Sequence, residues 1–411
     1  MKICGIVAEY NPFHNGHKYQ IDKTIKKTNC DAIIAVMSGN FVQRGSPASF
    51  DKWTRAKTAI QNGIDLVIEL PTLYATASSE YFATGAINLL NSLNAISNVS
   101  FGMETDNIEL LHKIVDVLIE EPVEYKTFLQ RHLELGLSFP KAREEALKEY
   151  FEFTTGDSDV RHLLFKPNTI LAIEYLKALK KSNSSIDPIA IKRFGTEYDS
   201  IELDSNTNIC SSTAIREKLT GSDIESIKNY IPSTSFEIIK NEIEANKFIN
   251  GINNFENEIL YSLRRMSSAE LSHIADVAEG LENSIYKALN NTTTLEELIN
   301  NVKTKRYTLT RIQRILIHTL LGIKSNYLLD QKYTPQYARV LAMSEKGKKV
   351  LSEISKTSSI PIVTSIADFM KIANNKQKEM LELDILATNI YTLGYNNPSQ
   401  KKFNLDYTMP L

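Results

Sequence analysis

The chain has 411 residues, 42% of them apolar and 23% charged, with a formal net charge of -2. It is long enough for two domains with cores of their own, and its near-neutral balance gives no overall positive field for nucleic acid. Cys4, Cys30 and Cys210 lack CxxC spacing, which argues against a disulfide framework or a cysteine zinc site, and no segment reaches the ~20 apolar residues of a membrane helix.

The first half alternates between short β-branched runs and helical patterns. KICGIVAEY, DAIIAVMSG, IDLVIELP and ISNVSFGME each end in a polar or glycine-bearing segment, and DPIAIKRF comes later. Between them DKWTRAKTAIQNG and SSEYFATGAINLLNSL carry helical periodicity. Apolar runs without strict alternation imply strands buried on both faces, and the strand–helix rhythm implies a parallel sheet. The expected architecture is α/β: a Rossmann-like, doubly wound parallel-sheet domain over residues 1–235, with its ligand at the carboxyl ends of the strands. Glu9 interrupts the first apolar run too early for a signal peptide, so a cytoplasmic protein is expected.

Residues 104–150 read as an acidic helical insertion, with 11 acidic against 6 basic residues between Glu104 and Glu149. Past about Ile231 helical periodicity takes over, and IPIVTS near Ile360 is the one late strand. Residues 236–411 are therefore expected to form a mainly α-helical domain, with the Asn-rich stretch from Asn246 to Glu258 at the boundary. Asn301 to Asp330 hold 6 basic residues against 1 acidic, a patch that suits either a polyanion or plain solvation.

The chemistry-bearing signal is AEYNPFHNGHKYQ, Ala8 to Gln20. His14 and His17 follow the first strand and open a helix, after the turn residues Asn11 and Pro12. A helix's first turn offers free N–H groups and partial positive charge, which suit phosphate. Gly16 would let a phosphate or adenine approach the backbone, and the two imidazoles would donate to phosphoryl oxygens as charge builds. Zinc would need three or four ligands, and no second histidine or cysteine pair is apparent. Two histidines that merely cap or pack the helix are the structural alternative.

A second cradle is CSSTAIREKL, Cys210 to Leu219. Ser211, Ser212 and Thr213 are N-cap candidates, and Arg216 falls one turn inside the helix. Hydroxyls, free N–H groups and a guanidinium at one spot again suit phosphate.

H-x-G-H after the first strand and S-S-T-x-x-R late in the domain resemble the paired hallmarks of the nucleotidyltransferase superfamily. Class I aminoacyl-tRNA synthetases share the first motif, but K-M-S-K-S has no counterpart here. The stretches GIVAEYNPFHNGH, MSGNFVQRGSPASFDKWTRAKTAIQNGIDLVIELP, KPNTILAIEYLKAL, IKRFGTEYD and KTKRYTLTRIQRILIH narrow the resemblance. Together they are similar to the tRNA(Met) cytidine acetate ligase family through nearly the whole chain.

That resemblance implies an ATP-dependent ligase. It would activate acetate as acetyl-adenylate, release pyrophosphate, and acetylate the exocyclic amine of the wobble cytidine in elongator tRNA(Met), with Mg²⁺ escorting the ATP. It assigns catalysis to His14, His17 and Arg216, with Ser212 and Thr213 holding pyrophosphate. It assigns the ATP site to Val7, Ala8, Glu9, Tyr10, Asn11, Pro12, Phe13, His14, Asn15, Gly16, His17, Lys18, Tyr19 and Gln20, with Gly102, Asn168 and Arg193. Asn168 would otherwise be an N-cap and Arg193 a surface ion pair.

Other segments carry expectations of their own. NFVQRGSPASFDKWTRAK would close over acetate or the target base, with Gln43 and Arg44 polar in its loop and Asp51 capping the next helix. Lys52 and Arg55 on that helix stand between a role there and a solvated face. Arg311, Arg314 and His318 share one helical face and would meet the tRNA backbone. Phe41, Trp53 and Phe194 are candidates for an aromatic platform under the cytidine. The alternatives are a small-molecule adenylyltransferase of coenzyme A or NAD type, and a non-catalytic RNA-binding protein on this fold.

Overall fold

The computed structural model describes residues 1–104, 107–156, 166–193, 208–221, 223–327 and 335–410. The chain lays down β1 (Ile3–Ala8), β2 (Ala32–Ser38), the short hairpin β3 (Phe41–Val42) and β4 (Ser46–Pro47), then β5 (Leu66–Leu70), β6 (Ile96–Met103) and β7 (Asp187–Lys192). Each of the five apolar runs read from the sequence is thus a strand. β2 and β5 are buried along their whole length, as strands covered on both faces must be.

Two further strands, β8 (Ala338–Met343) and β9 (Ile362–Val363), complete a seven-stranded sheet of order β7-β6-β1-β2-β5-β8-β9. The first five strands in that order pair in parallel, while β8 runs antiparallel to β5. The order of the parallel strands reverses at β1, which lies between β2 and β6. In an open α/β sheet that reversal opens a crevice at the carboxyl ends.

The sheet does not stop at residue 235, where the sequence suggested a boundary. β8 and β9 belong to it, and only β9 falls within the predicted late strand. The Asn-rich stretch is tied to the first half as well: Ile249 N–H donates to Ser49 O at 3.0 Å. The rest of the second half is mainly helical, as expected.

Crossovers are helical: α1 (Asn15–Thr28) joins β1 to β2, and α2 (Lys52–Gln61) leads to β5. α3 (Thr72–Ala75) and α4 (Ser79–Ser92) lead to β6. The acidic insertion is α5 (Ile108–Glu120), α6 (Val123–Glu134) and α7 (Phe139–Thr155). No helix among the described residues is long and apolar enough to cross a membrane.

Two sets of charged residues are engaged within the protein. Lys52 and Arg55 of α2 are buried rather than on a solvated face. Lys52 Nζ lies 2.8 Å from Glu69 Oε1 and 2.7 Å from Asp406 Oδ1, and the Arg55 guanidinium donates to the carbonyls of Phe50, Glu9, Ser38 and Gly39. Asp51 does cap α2, its Oδ1 accepting from Thr54 N at 2.8 Å.

The basic stripe is not a free surface either. In the helix Leu309–Leu321, Arg311 Nε donates to Asp276 O at 3.1 Å and Arg314 Nε to Asp276 Oδ2 at 2.6 Å. His318 is buried between Ala275 O and Thr76 O, at 3.1 and 3.0 Å. The β3–β4 hairpin presses on the same helix. Gly45 has φ +74°, and a Cβ there would lie 2.2 Å from the Arg314 backbone nitrogen, so both its conformation and its contact require glycine.

Candidate active site

The turn after β1 aims the histidines. Tyr10 sits at φ 47°, a left-handed conformation rare for a bulky residue, and Asn11 Oδ1 accepts from Ser49 N at 2.8 Å. His14 is the N-cap of α1, with its Nδ1 accepting from Gly16 N at 3.0 Å. His17 reaches back, its Nδ1 accepting from His14 N at 3.2 Å. This is a reciprocal cap built from imidazoles.

Because each Nδ1 accepts a backbone N–H, the proton of each neutral ring sits on Nε2. The rings stack with centroids 3.8 Å apart, so two imidazolium charges there would repel. Burial, the neighbouring His17 ring, Arg193 and Arg216 hold His14 well below its ordinary pKa. Burial and Arg193 push His17 down to about 3. The pair therefore presents two fixed, neutral N–H donors at neutral pH. Gly16 makes room for this arrangement, since a Cβ there would lie 2.8 Å from His14 Cε1.

The second motif closes on the first. Ser211 is the N-cap of the helix Ser212–Thr220, its Oγ accepting from Ala214 N at 2.9 Å. Ser212 and Thr213 occupy the first turn. Arg216 spans the two motifs, donating to Asn11 O at 2.8 Å and to Thr213 Oγ1 at 3.0 Å. Asn15 fastens the other side by donating to Asn208 O and Asn229 O at 2.9 and 2.8 Å. Two helix N-termini and a guanidinium thus converge, an arrangement suited to a polyphosphate.

These groups line a pocket of about 690 Å³ at the carboxyl ends of β1 and β6. Of the residues expected there, Val7, Ala8, Glu9, Tyr10, Asn11, His14, His17, Gln20, Gly102, Asn168, Arg193, Ser212, Thr213 and Arg216 line it. Pro12, Phe13, Asn15, Gly16, Lys18 and Tyr19 do not. Phe13 packs under Tyr10 and His17, with centroids 4.9 and 5.5 Å away, and Lys18 pairs with Asp22 on the surface. Asn168 is not an N-cap: Lys166 holds that position, and Asn168 Nδ2 donates to Glu104 Oε1 at 2.6 Å. Arg193 N–H donates to Met103 O at 2.9 Å, which extends the β6–β7 pairing to the pocket edge.

Gln43 and Arg44 also line the pocket, and Gln43 N–H donates to Glu9 Oε1 at 3.0 Å. Two of the three expected aromatic platforms do not reach it. Phe41 is core, against Phe255 and Tyr391, Trp53 lies outside the lining, and Phe194 lies outside the described residues. The sequence reading missed one whole wall, formed by Glu80, Phe139, Lys141, Arg143, Glu144 and Glu174 among others. Arg143 donates to Glu174 Oε1 at 2.7 Å, and Lys177 bridges Glu174 and Glu80 at 2.9 and 3.0 Å. The i, i+4, i+8 spacing of Phe139, Arg143 and Leu147 is legible as one helix face, but nothing local says what it faces. Among the described residues no three His, Cys, Asp or Glu side chains group as metal ligands.

A family model described as HIGH Nucleotidyl Transferase matches residues 1–406. A tRNA(Met) cytidine acetate ligase of Thermoanaerobacter sp. (strain X514) is 46% identical over 412 residues, spanning 100% of this chain and 99% of that protein. One from Clostridium perfringens (strain SM101 / Type A) is 43% identical, spanning 99% of this chain and 98% of that protein. The crystal structure of Thermotoga maritima TmcAL bound with alpha-thio ATP matches with a TM-score of 0.93 at 33% identity, covering 100% of this chain and 99% of that one.

Proposed function

The chain belongs to the tRNA(Met) cytidine acetate ligase family of HIGH nucleotidyltransferases, and from that premise we propose that it is a cytoplasmic, ATP-dependent ligase acting on acetate and elongator tRNA(Met). The observation that carries this reading is the neutral histidine pair facing the Ser212–Arg216 cradle in one pocket.

An acetate oxygen attacks the α-phosphate of ATP, and the bond to pyrophosphate breaks. The Nε2–H groups of His14 and His17 donate to phosphoryl oxygens as negative charge builds. Ser212, Thr213 and Arg216 hold the departing pyrophosphate. Gly102, Asn168 and Arg193 face the nucleoside, and a Mg²⁺ accompanying the triphosphate would supply charge neutralisation there. In the second step the cytidine amine attacks the acyl carbon, a proton leaves the nitrogen, and AMP departs. The mixed anhydride is already activated, so orientation is the protein's main contribution.

The test is mass spectrometry of tRNA(Met) incubated with the protein, ATP and acetate, paired with pyrophosphate exchange. Acetate-dependent exchange and an acetylated wobble cytidine are expected. Exchange that requires a phosphorylated cofactor precursor instead of acetate would favour the small-molecule adenylyltransferase.

The loop ahead of the helix stripe is the surface that best suits the tRNA backbone. Lys303, Thr304, Lys305 and Arg306 are exposed and lead into Thr308 and Thr310, which line the pocket. Lys303 and Lys305 make no ion pair among the described residues, whereas Arg306 pairs with Glu279 at 3.3 Å. Lys303→Glu with Lys305→Glu is expected to weaken tRNA binding and reduce its log–log salt slope by about 2, while leaving acetyl-adenylate formation intact. An unchanged slope in salt-titrated binding would place the tRNA elsewhere.

A further inference from the structure

A cytidine in an anticodon loop must leave its stack before its amine reaches an acyl group beside the α-phosphate. The extruded base needs a flat apolar surface to replace the neighbours it has lost. Five aromatic side chains other than histidine line the pocket: Tyr10, Phe82, Phe101, Phe139 and Tyr175. Tyr10 and Phe82 are 2% exposed, Phe101 4% and Tyr175 5%, so their rings are already covered. Phe139 is 56% exposed.

We propose that Phe139 is the stacking platform for the target cytosine. The assignment rests on the tRNA-acetylating function proposed above and adds the residue that receives the base. Phe139 opens α7 and belongs to a part of the pocket lining that the two phosphate-binding motifs do not supply. Leu118, Leu147 and Leu171 line the pocket with it, which gives the ring apolar company.

The platform is held before substrate arrives. Ala142, Ala146, Leu147 and Phe151 of α7 are buried and anchor the helix, and Tyr150 meets Tyr125 of α6 edge to face at 6.4 Å. One turn after Phe139, Arg143 is locked to the buried Glu174. A ring carried on a fixed helix loses little freedom when a base lands on it. Stacking tolerates any base, so Phe139 supplies binding and placement rather than the choice of cytosine.

The test uses the full-length protein and an anticodon stem-loop RNA of elongator tRNA(Met). In F139A, kcat/KM for the RNA is expected to fall ~10-fold or more, while acetate-dependent pyrophosphate exchange and the KM for ATP stay within twofold of wild type. F139Y and F139W are expected to restore RNA turnover. The chain has one native tryptophan, Trp53, outside the pocket lining. RNA should therefore quench F139W fluorescence beyond the wild-type signal, and an RNA abasic at the wobble position should not.

RNA kinetics of F139A within twofold of wild type would overturn the proposal. So would a loss shared by pyrophosphate exchange, or quenching of F139W by ATP alone, either of which would put adenine on the ring. Should the wild type form acetyl-adenylate yet leave the RNA unacetylated, the functional reading falls, and the RNA quench of F139W still decides the platform.

Discussion

His14→Ala lowers acetate-dependent pyrophosphate exchange by ~10²–10³-fold, the usual cost of one donor aimed at developing charge. The substitution also removes a helix cap, worth about 1 kcal/mol of stability, and His14→Asn separates the two effects. Asparagine is a good N-cap, so that variant keeps the start of α1 but loses the Nε2–H. It is expected to unfold at nearly the wild-type urea concentration and to react as slowly as the alanine variant. Steady-state exchange and urea titration on both variants check this, and full activity of His14→Asn would reduce the histidine to a cap.

The pH behaviour follows from the same geometry. Both imidazoles are neutral in the folded protein, with His17 down at about 3. Exchange by the wild type is therefore expected to show no histidine titration between about pH 6 and 8. Stability has a definite sign. In the unfolded chain each histidine takes up a proton below its ordinary value of about 6.5, and in the folded chain it does not. The stabilisation is present above that value and declines as pH falls from there toward the folded value.

What could be read in advance divides by the range of the forces involved. The HNGH and SSTAIR motifs were legible because capping is local: a few residues fix the turn, the cap and the donor direction. The five parallel strands were legible because burial on both faces leaves continuous apolar runs. β8 was not, since Arg339 interrupts ARVLAM and a charge in a strand reads as solvent exposure. Here it lies 2.9 Å from Glu69 Oε2 in the core. Lys52 and Arg55 misled in the same way, and the Arg311–Arg314 face looked free because Asp276 is 35 and 38 residues away. Phe139 and the Arg143–Glu174 pair are likewise brought to the pocket only by packing of the insertion.

The largest stability effect is expected at the far end of the chain. Asp406 lies in the short helix Leu405–Thr408, yet its carboxylate is fully buried. It faces Lys52 at 2.7 Å and also pairs with Arg339, while Glu69 contacts the same two cations at 2.8 and 2.9 Å. Burial alone would push the Asp406 carboxyl up, but Lys52 and Arg339 hold it below its ordinary value. It is therefore ionised at neutral pH, and its contribution is lost only as pH falls below about 4. Two buried cations are paired directly with two buried carboxylates, and the buried Asp384 also acts on both cations. Asp406→Ala leaves both cations paired directly with Glu69 alone, with Asp384 acting on them only at longer range, and is expected to cost about 3–5 kcal/mol, the price of one poorly compensated buried charge. Arg339→Met combined with Asp406→Leu removes one charge of each sign and leaves the Lys52–Glu69 pair intact. That double variant is expected to recover most of the loss, because an apolar pair of similar volume can replace a buried ion pair at little cost. Urea midpoints of the two variants decide the matter. An Asp406→Ala midpoint near wild type would mean that solvent reaches the cluster. Equal losses in both variants would mean that packing, not charge balance, anchors the last helix to β5 and β8.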